Sequence, residues 1–205
     1  MYREGRGVEQ SKETAVEWYH KAARQLNAKA MFNLGTAYYN GDGVAIDDIA
    51  AYAWFLLAQQ YGSEPATEAV SRTAATLQPW QVAAAFDRLG DMHQQEKDLP
   101  RDDQAALDWY VRAARLGEPE SNVKLARFLM VIGGDKNYQQ ALRSCEAAAK
   151  KLYSQGALCV GYIYQHGLGT PQDLSEAAKW FRQSAQQGML RLCWLWEKCI
   201  GMAWV

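Results

Sequence analysis

Small and large apolar residues recur along this chain at three- and four-residue intervals, the spacing that gathers one face of an α-helix. In NAKAMFNLGTAYYNG, Ala30, Leu34 and Ala37 or Tyr38 fall on such a face, and Asn27 stands where an N-cap belongs. Gly41 and Gly43 follow, suited to the positive φ that ends a helix and redirects the chain. A second helix is predicted to open near Asp47 or Asp48 and carries Ala50, Ala51, Trp54, Phe55 and Ala58 along one side. Both helix types keep the 3.6-residue period and the loops are too short for strands, so an all-α fold is expected.

This two-helix unit repeats. Gly5, Gly7, Val8 and Trp18 precede Gly41, Gly43, Val44 and Trp54 by 36 positions each. A third copy places Gly90 and Trp109 at 55 positions beyond Gly35 and Trp54, an excess of 19 residues. That excess contains SEPATEAVSRTAATLQPW and predicts one inserted helix over about 62–78, with Pro79 opening the next helix at its first turn. A fourth copy keeps Leu125, Ala126, Gly134 and Ala141 but has Ser144 where tryptophan stood, and a fifth is complete, with Gly161, Gly167, Gly169 and Trp180. Repeat three replaces the loop glycines with Glu96 and Asp98, and repeat four shortens its loop, so both loops are expected to differ in shape. Gly35, Gly90, Ala126 and Gly161 occupy one small position that lets a neighbouring helix approach. Two helices of this size bury too little surface alone; stacked copies share a core in which each repeat contacts its neighbours. Eleven helices are expected, five of each type and the insert.

Composition narrows the function. With 205 residues, 49% hydrophobic and 22% charged, the chain is globular in character. Its 22 Lys and Arg nearly cancel 23 Asp and Glu, leaving a net charge of −1 and none of the basic excess a phosphate backbone requires, so no nucleic-acid partner is expected. No apolar run approaches the roughly 18–20 residues of a membrane span. The opening MYREGRGVEQ shows no leader; the cytoplasm is the favoured compartment, with the periplasm as the alternative if a signal was removed. Cys145, Cys159, Cys193 and Cys199 form no CxxC pair and read as small apolar residues on helix faces, with a disulfide framework as the alternative.

The pattern A-x-x-x-LG-x-x-Y-x-x-G-x-GV, followed by D-x-x-x-A-x-x-W-x-x-x-A-A-x-x-G, resembles the Sel1-like repeat, a relative of the tetratricopeptide repeat. It is carried by Ala30, Leu34, Gly35, Tyr38, Gly41, Gly43, Val44, Asp47, Ala51, Trp54 and Ala58, and again by Gly161, Tyr164, Gly167, Gly169, Asp173, Ala177, Trp180 and Ala185. The resemblance implies an α/α superhelix of about five helix-pair repeats spanning 1–205 as a single solenoid. It also implies a non-enzymatic scaffold or adaptor that binds a protein or peptide along its concave face. An immunity-type inhibitor of a bacterial effector is the alternative, and a hydrolase like cysteine-rich secreted relatives is the weaker one. Those relatives carry a cysteine on each side of a helix junction, where this chain has Ala149 and Ala157, so their disulfide ladder is not expected.

The chemistry-bearing residues agree with a binding role. His20, His93 and His166 stand in no nucleophile or metal context, and Asp47-Asp48 and Asp102-Asp103 read as helix openings. Trp18, Trp54, Trp109 and Trp180 are expected in the core. No cofactor and no metal are expected. Carrying the tetratricopeptide contact positions across implies a partner-binding strip of Phe32, Thr36, Tyr39, Asn40, Asp87, Asp91, Gln94, Arg127, Met130, Tyr162 and Gln165. Toward the C-terminus Leu192, Trp194, Leu195, Trp196 and Trp204 leave an apolar helix end, through which a homodimer is expected.

Overall fold

The computed structural model describes residues 9–95 and 98–187, together with Tyr2, Glu4, Gly5 and Gly7. Ten α-helices and no strands occur among them: α1 (Lys12–Ala23), α2 (Ala28–Asn40), α3 (Asp48–Gln60), α4 (Glu64–Ala74), α5 (Pro79–Gln94), α6 (Asp103–Arg115), α7 (Pro119–Ile132), α8 (Asp135–Lys150), α9 (Ser154–His166) and α10 (Leu174–Gln186). The inserted helix is α4, and Pro79 opens α5 as its first residue. The eleventh helix expected from the sequence and the segment 192–204 fall outside the described residues, as do Cys193, Cys199 and Glu96. The fold is all-α and built from helix pairs. Two compact units divide it between Trp109 and Tyr110.

Local chemistry sets the helix boundaries. The Ala30 N–H donates to the Asn27 side-chain oxygen at 2.9 Å, and the Asp47, Asp102 and Asp173 carboxylates cap α3, α6 and α10 in the same way. Gly41 and Gly167 terminate α2 and α9 in the left-handed conformation. The turns after α1, α3, α6 and α8 also adopt positive φ, supplied by Gly62 and Gly117 in two repeats but by Leu26 (φ 58°) and Leu152 (φ 60°) in the other two. A side chain strains that backbone by about 1–2 kcal/mol, part of which glycine's extra chain entropy offsets. Leu152 is largely exposed and loses little packing. Leu152→Gly is therefore expected to raise stability by about 0.5–1 kcal/mol in urea unfolding; an unchanged or lower midpoint would mean the strain is relieved elsewhere.

In the first unit one core gathers Met31, Leu34, Trp54, Leu57, Leu89 and Trp109. A smaller cluster of Ala51, Phe55 and Ala69 joins α3 to α4, with Phe32 and Val70 packed against it. A Cβ built at Gly35 would lie 2.5 Å from the Phe55 ring, which is why that position is small. The second unit repeats the arrangement: a Cβ at Gly161 would lie 2.5 Å from Phe181. Its interior holds Val123, Leu125, Leu129, Ala148, Val160 and Ile163.

Two expectations change, and the repeat-three loop gains a physical account. Trp54 (2% exposed) and Trp109 (5%) are core residues, but Trp18 is 51% exposed, with the Lys21 ammonium 4.4 Å from its ring centroid, and Trp180 is only half-buried. Trp18 lacks the packing given to Trp54, whose indole meets the His20 ring edge-on at 5.5 Å. Cys145 and Cys159 are not independent apolar residues. They are fully buried on α8 and α9, 5.8 Å apart between Cα atoms, and joined by a disulfide. Spacing hides this pairing because the partners face each other across a helix junction, 14 positions apart. Finally, the repeat-three loop, without its glycines, is held by Asp98 against His20 (Oδ1 to Nδ1, 2.9 Å) and by Leu99, buried in the core.

Candidate functional site

The first-type helices position the candidate residues. Counting within the repeats makes Thr36, Asp91, Arg127 and Tyr162 one structural position, directly after the small residues Gly35, Gly90, Ala126 and Gly161. Arg127 is exposed and the other three are half-buried, so the position meets solvent in all four of these repeats. Phe32 and Asp87 share another position, four residues earlier, which faces inward. Phe32 stacks against Phe55 with ring centroids 5.6 Å apart, Asp87 is 3% exposed, and the equivalent Leu158 is buried. Asp87 therefore leaves the candidate surface, and Phe32 supports it from beneath. Met130 is also buried, although its equivalents Tyr39, Gln94 and Gln165 reach the surface. Successive helical residues point about 100° apart, so a small offset in carrying contacts between families puts Asp87 into the core, whereas Met130 differs from its own repeat equivalents in what packs over it.

In the first unit, Asn33 and Thr36 on α2 and Lys12 and Tyr19 on α1 line a shallow depression, closed at one side by an ion pair between Lys12 Nζ and Asp42 Oδ1 at 2.5 Å. The Thr36 hydroxyl donates to the Phe32 carbonyl at 3.0 Å. Tyr39 and Asn40 are exposed at the end of α2, and the Arg72 guanidinium of the inserted α4 lies 5.7 Å from the Tyr39 ring centroid. Nearby, Arg88 of α5 donates to Asp47 Oδ2 at 2.7 Å and sits 6.0 Å from the Tyr38 ring. Burial alone raises the Asp47 carboxyl. Hydrogen bonds from the Ala50 and Ile49 backbone and from Arg88 outweigh it and hold the group below the usual carboxylate range. Burial likewise raises Tyr38, against the opposing pull of Arg88, and lowers His93. Arg72 and Arg88 escaped the sequence reading; Arg88 was legible, since it shares the outward stripe of α5 with Asp91 three residues on, whereas Arg72 required knowing where the insert packs.

In the second unit, α7 displays Arg127, Val131 and Ile132, and α9 displays Tyr162 and His166, whose rings stack at 4.3 Å one turn apart. Gln165 contributes its carbonyl to the Gln172 amide at 2.7 Å. Among the described residues, no three His, Cys, Asp or Glu converge as a metal site, and no helix is long and apolar enough to cross a membrane.

Sel1 repeats match residues 1–25, 28–58, 87–118 and 152–189, more than half of the chain. The chain belongs to the Sel1 repeat family. Its Sel1 repeats align with an uncharacterized protein of Neisseria meningitidis serogroup B at 28% identity over 179 residues, 87% of this chain and 33% of that one. They also align with the exopolysaccharide production negative regulator of Rhizobium meliloti at 31% identity over 172 residues, 81% of this chain and 59% of the regulator. The chain thus spans between a third and three fifths of these relatives. Among solved structures, a Sel1 repeat protein from Oxalobacter formigenes superposes with a TM-score of 0.51 at 26% identity, covering 93% of this chain and 71% of that one. The all-α fold of helix pairs agrees with that expected from the sequence, and the matched segments coincide with four of the five expected repeats.

Proposed function

We propose that this Sel1 repeat chain is a non-catalytic interaction scaffold that binds a protein or peptide through the outward face of its first-type helices. The observation that carries this reading is the position of Thr36, Asp91, Arg127 and Tyr162. The residue before it stays small in these four repeats (Gly35, Gly90, Ala126, Gly161), with an aromatic ring packed directly on Gly35 and Gly161, while the position itself changes among hydroxyl, carboxylate, guanidinium and phenol and keeps contact with solvent. Packing fixes the one and leaves the other free to specify a ligand. Tyr39, Asn40, Gln94 and Gln165 extend the face along each helix, and aromatic and Arg side chains are the usual anchors of protein interfaces. A regulator of exopolysaccharide production among its relatives fits a chain that works by binding.

Affinity capture of the full chain, followed by mass spectrometry, supplies the partner. Alanine at Tyr39, Asp91, Arg127 or Tyr162 is then expected to weaken that binding by at least about tenfold for one or two of the four. Melting temperatures should stay within a few degrees. Equal affinity for all four variants would place the interface elsewhere.

A further inference from the structure

We propose that the Cys145–Cys159 disulfide replaces, in repeat four, the buried aromatic pair that repeats two and three carry (Trp54-Phe55 and Trp109-Tyr110), so that order in the α7–α9 stack depends on the oxidised state. The inference stands on packing within the second unit and not on any partner. In four repeats the tryptophan is followed by a second aromatic: Trp18-Tyr19, Trp54-Phe55, Trp109-Tyr110 and Trp180-Phe181. Phe55 and Phe181 cover Gly35 and Gly161 closely enough to forbid a Cβ there. Repeat four has Ser144-Cys145 at this place and Ala126 in the glycine's position, so two small buried side chains stand where repeats two and three bury two large rings. Each missing aromatic forgoes burial of about 150–250 Å². The segments that match the Sel1 repeat also leave out 119–151, the stretch containing α7 and α8.

The bond lies where a solenoid needs reinforcement. Neighbouring repeats hold one another, and Cys145 on α8 reaches Cys159 on α9, the first helix of the next repeat. The equivalent residues at the α1–α2 junction are Tyr19 and Asn33, which line the depression described above and are not covalently joined, Tyr19 also packing against the core. The 5.8 Å Cα separation lies in the ordinary range for a disulfide, so the helices need not move to form it. Both cysteines are 0% exposed, which shields the closed bond from reductants and makes it a structural staple. Its formation removes two protons and two electrons from the two thiols. A disulfide donor, an oxidised dithiol, accepts them and leaves as its two thiols. Such bonds persist in oxidising compartments, so an oxidising compartment replaces the cytoplasm as the setting in which this chain matures.

The test uses the full chain produced under oxidising conditions, the same chain denatured and refolded with a phosphine reductant, and the Cys145→Ala/Cys159→Ala variant. Alkylation and peptide mapping of the denatured, unreduced protein should leave Cys145 and Cys159 unmodified. Hydrogen exchange in α8 and α9 is expected to be at least about tenfold faster in the reduced protein and in the variant, with α2 and α3 unchanged. If the variant fails to fold, the reduced wild type still gives the comparison. Alkylation of either cysteine before reduction, or equal protection of α8 and α9 with and without reductant, overturns the proposal.

Discussion

Trp54→Ala is expected to destabilise the protein by about 3–5 kcal/mol, the range for removing a large aromatic side chain from a packed core. The indole is 2% exposed and belongs to the cluster that includes Met31, Leu34, Leu57 and Leu89. Its edge-on contact with His20 joins repeat two to α1, so truncation opens a cavity and also removes an inter-repeat contact. Trp18→Ala, at the equivalent position, provides the comparison. Half of that ring is in solvent and its recorded partner is the Lys21 ammonium, so the expected cost is no more than about 1 kcal/mol. Urea unfolding of the two variants should separate them by several kcal/mol. Similar midpoints would mean that the Trp54 site collapses onto its neighbours without leaving a void.

This pair also shows what the sequence could and could not convey. The caps at Asn27, Asp47 and Asp102 were legible because a cap is a contact between residues three apart, and Pro79 announced a helix start through its own missing N–H. The repeat period located every described helix. Burial was less legible, because it depends on what a neighbouring element does: one repeat position is core at Trp54 and surface at Trp18. The candidate surface suffered in the same way. Thr36, Asp91, Arg127 and Tyr162 keep contact with solvent, whereas Asp87 sits at a position that faces the core and Met130 is buried where its repeat equivalents are not, differences that a pattern borrowed from another repeat family does not resolve. The Cys145–Cys159 bond and the Arg72–Tyr39 contact are side-chain meetings between elements, with no local signal in either partner.

The second of the loop glycines carries more than a turn. Gly43 has φ +74°, and an added Cβ would press on the Lys12 carbonyl, 2.5 Å from its oxygen and 2.7 Å from the Glu13 nitrogen. The loop therefore sits directly on the first turn of the preceding second-type helix, beside the Lys12–Asp42 ion pair. Gly169 repeats the arrangement on α8, where a Cβ would lie 2.7 Å from that of Tyr138. Backbone atoms cannot rotate aside as a side-chain tip can, so Gly43→Ala must lift the loop from α1. Left-handed strain of about 1–2 kcal/mol and overpacking of about 1–3 kcal/mol together predict a loss on the order of 3–4 kcal/mol. Gly7 isolates the first of these contributions. It occupies the equivalent repeat position with the same φ of +74°, but nothing lies within 4 Å of an added Cβ, so Gly7→Ala should cost only about 1–2 kcal/mol. The gap between the two variants in urea unfolding measures the seating of the loop on α1. If Gly43→Ala costs no more than Gly7→Ala, the close approach at Lys12 does not hold the repeats together, and the glycine is there for its backbone conformation alone.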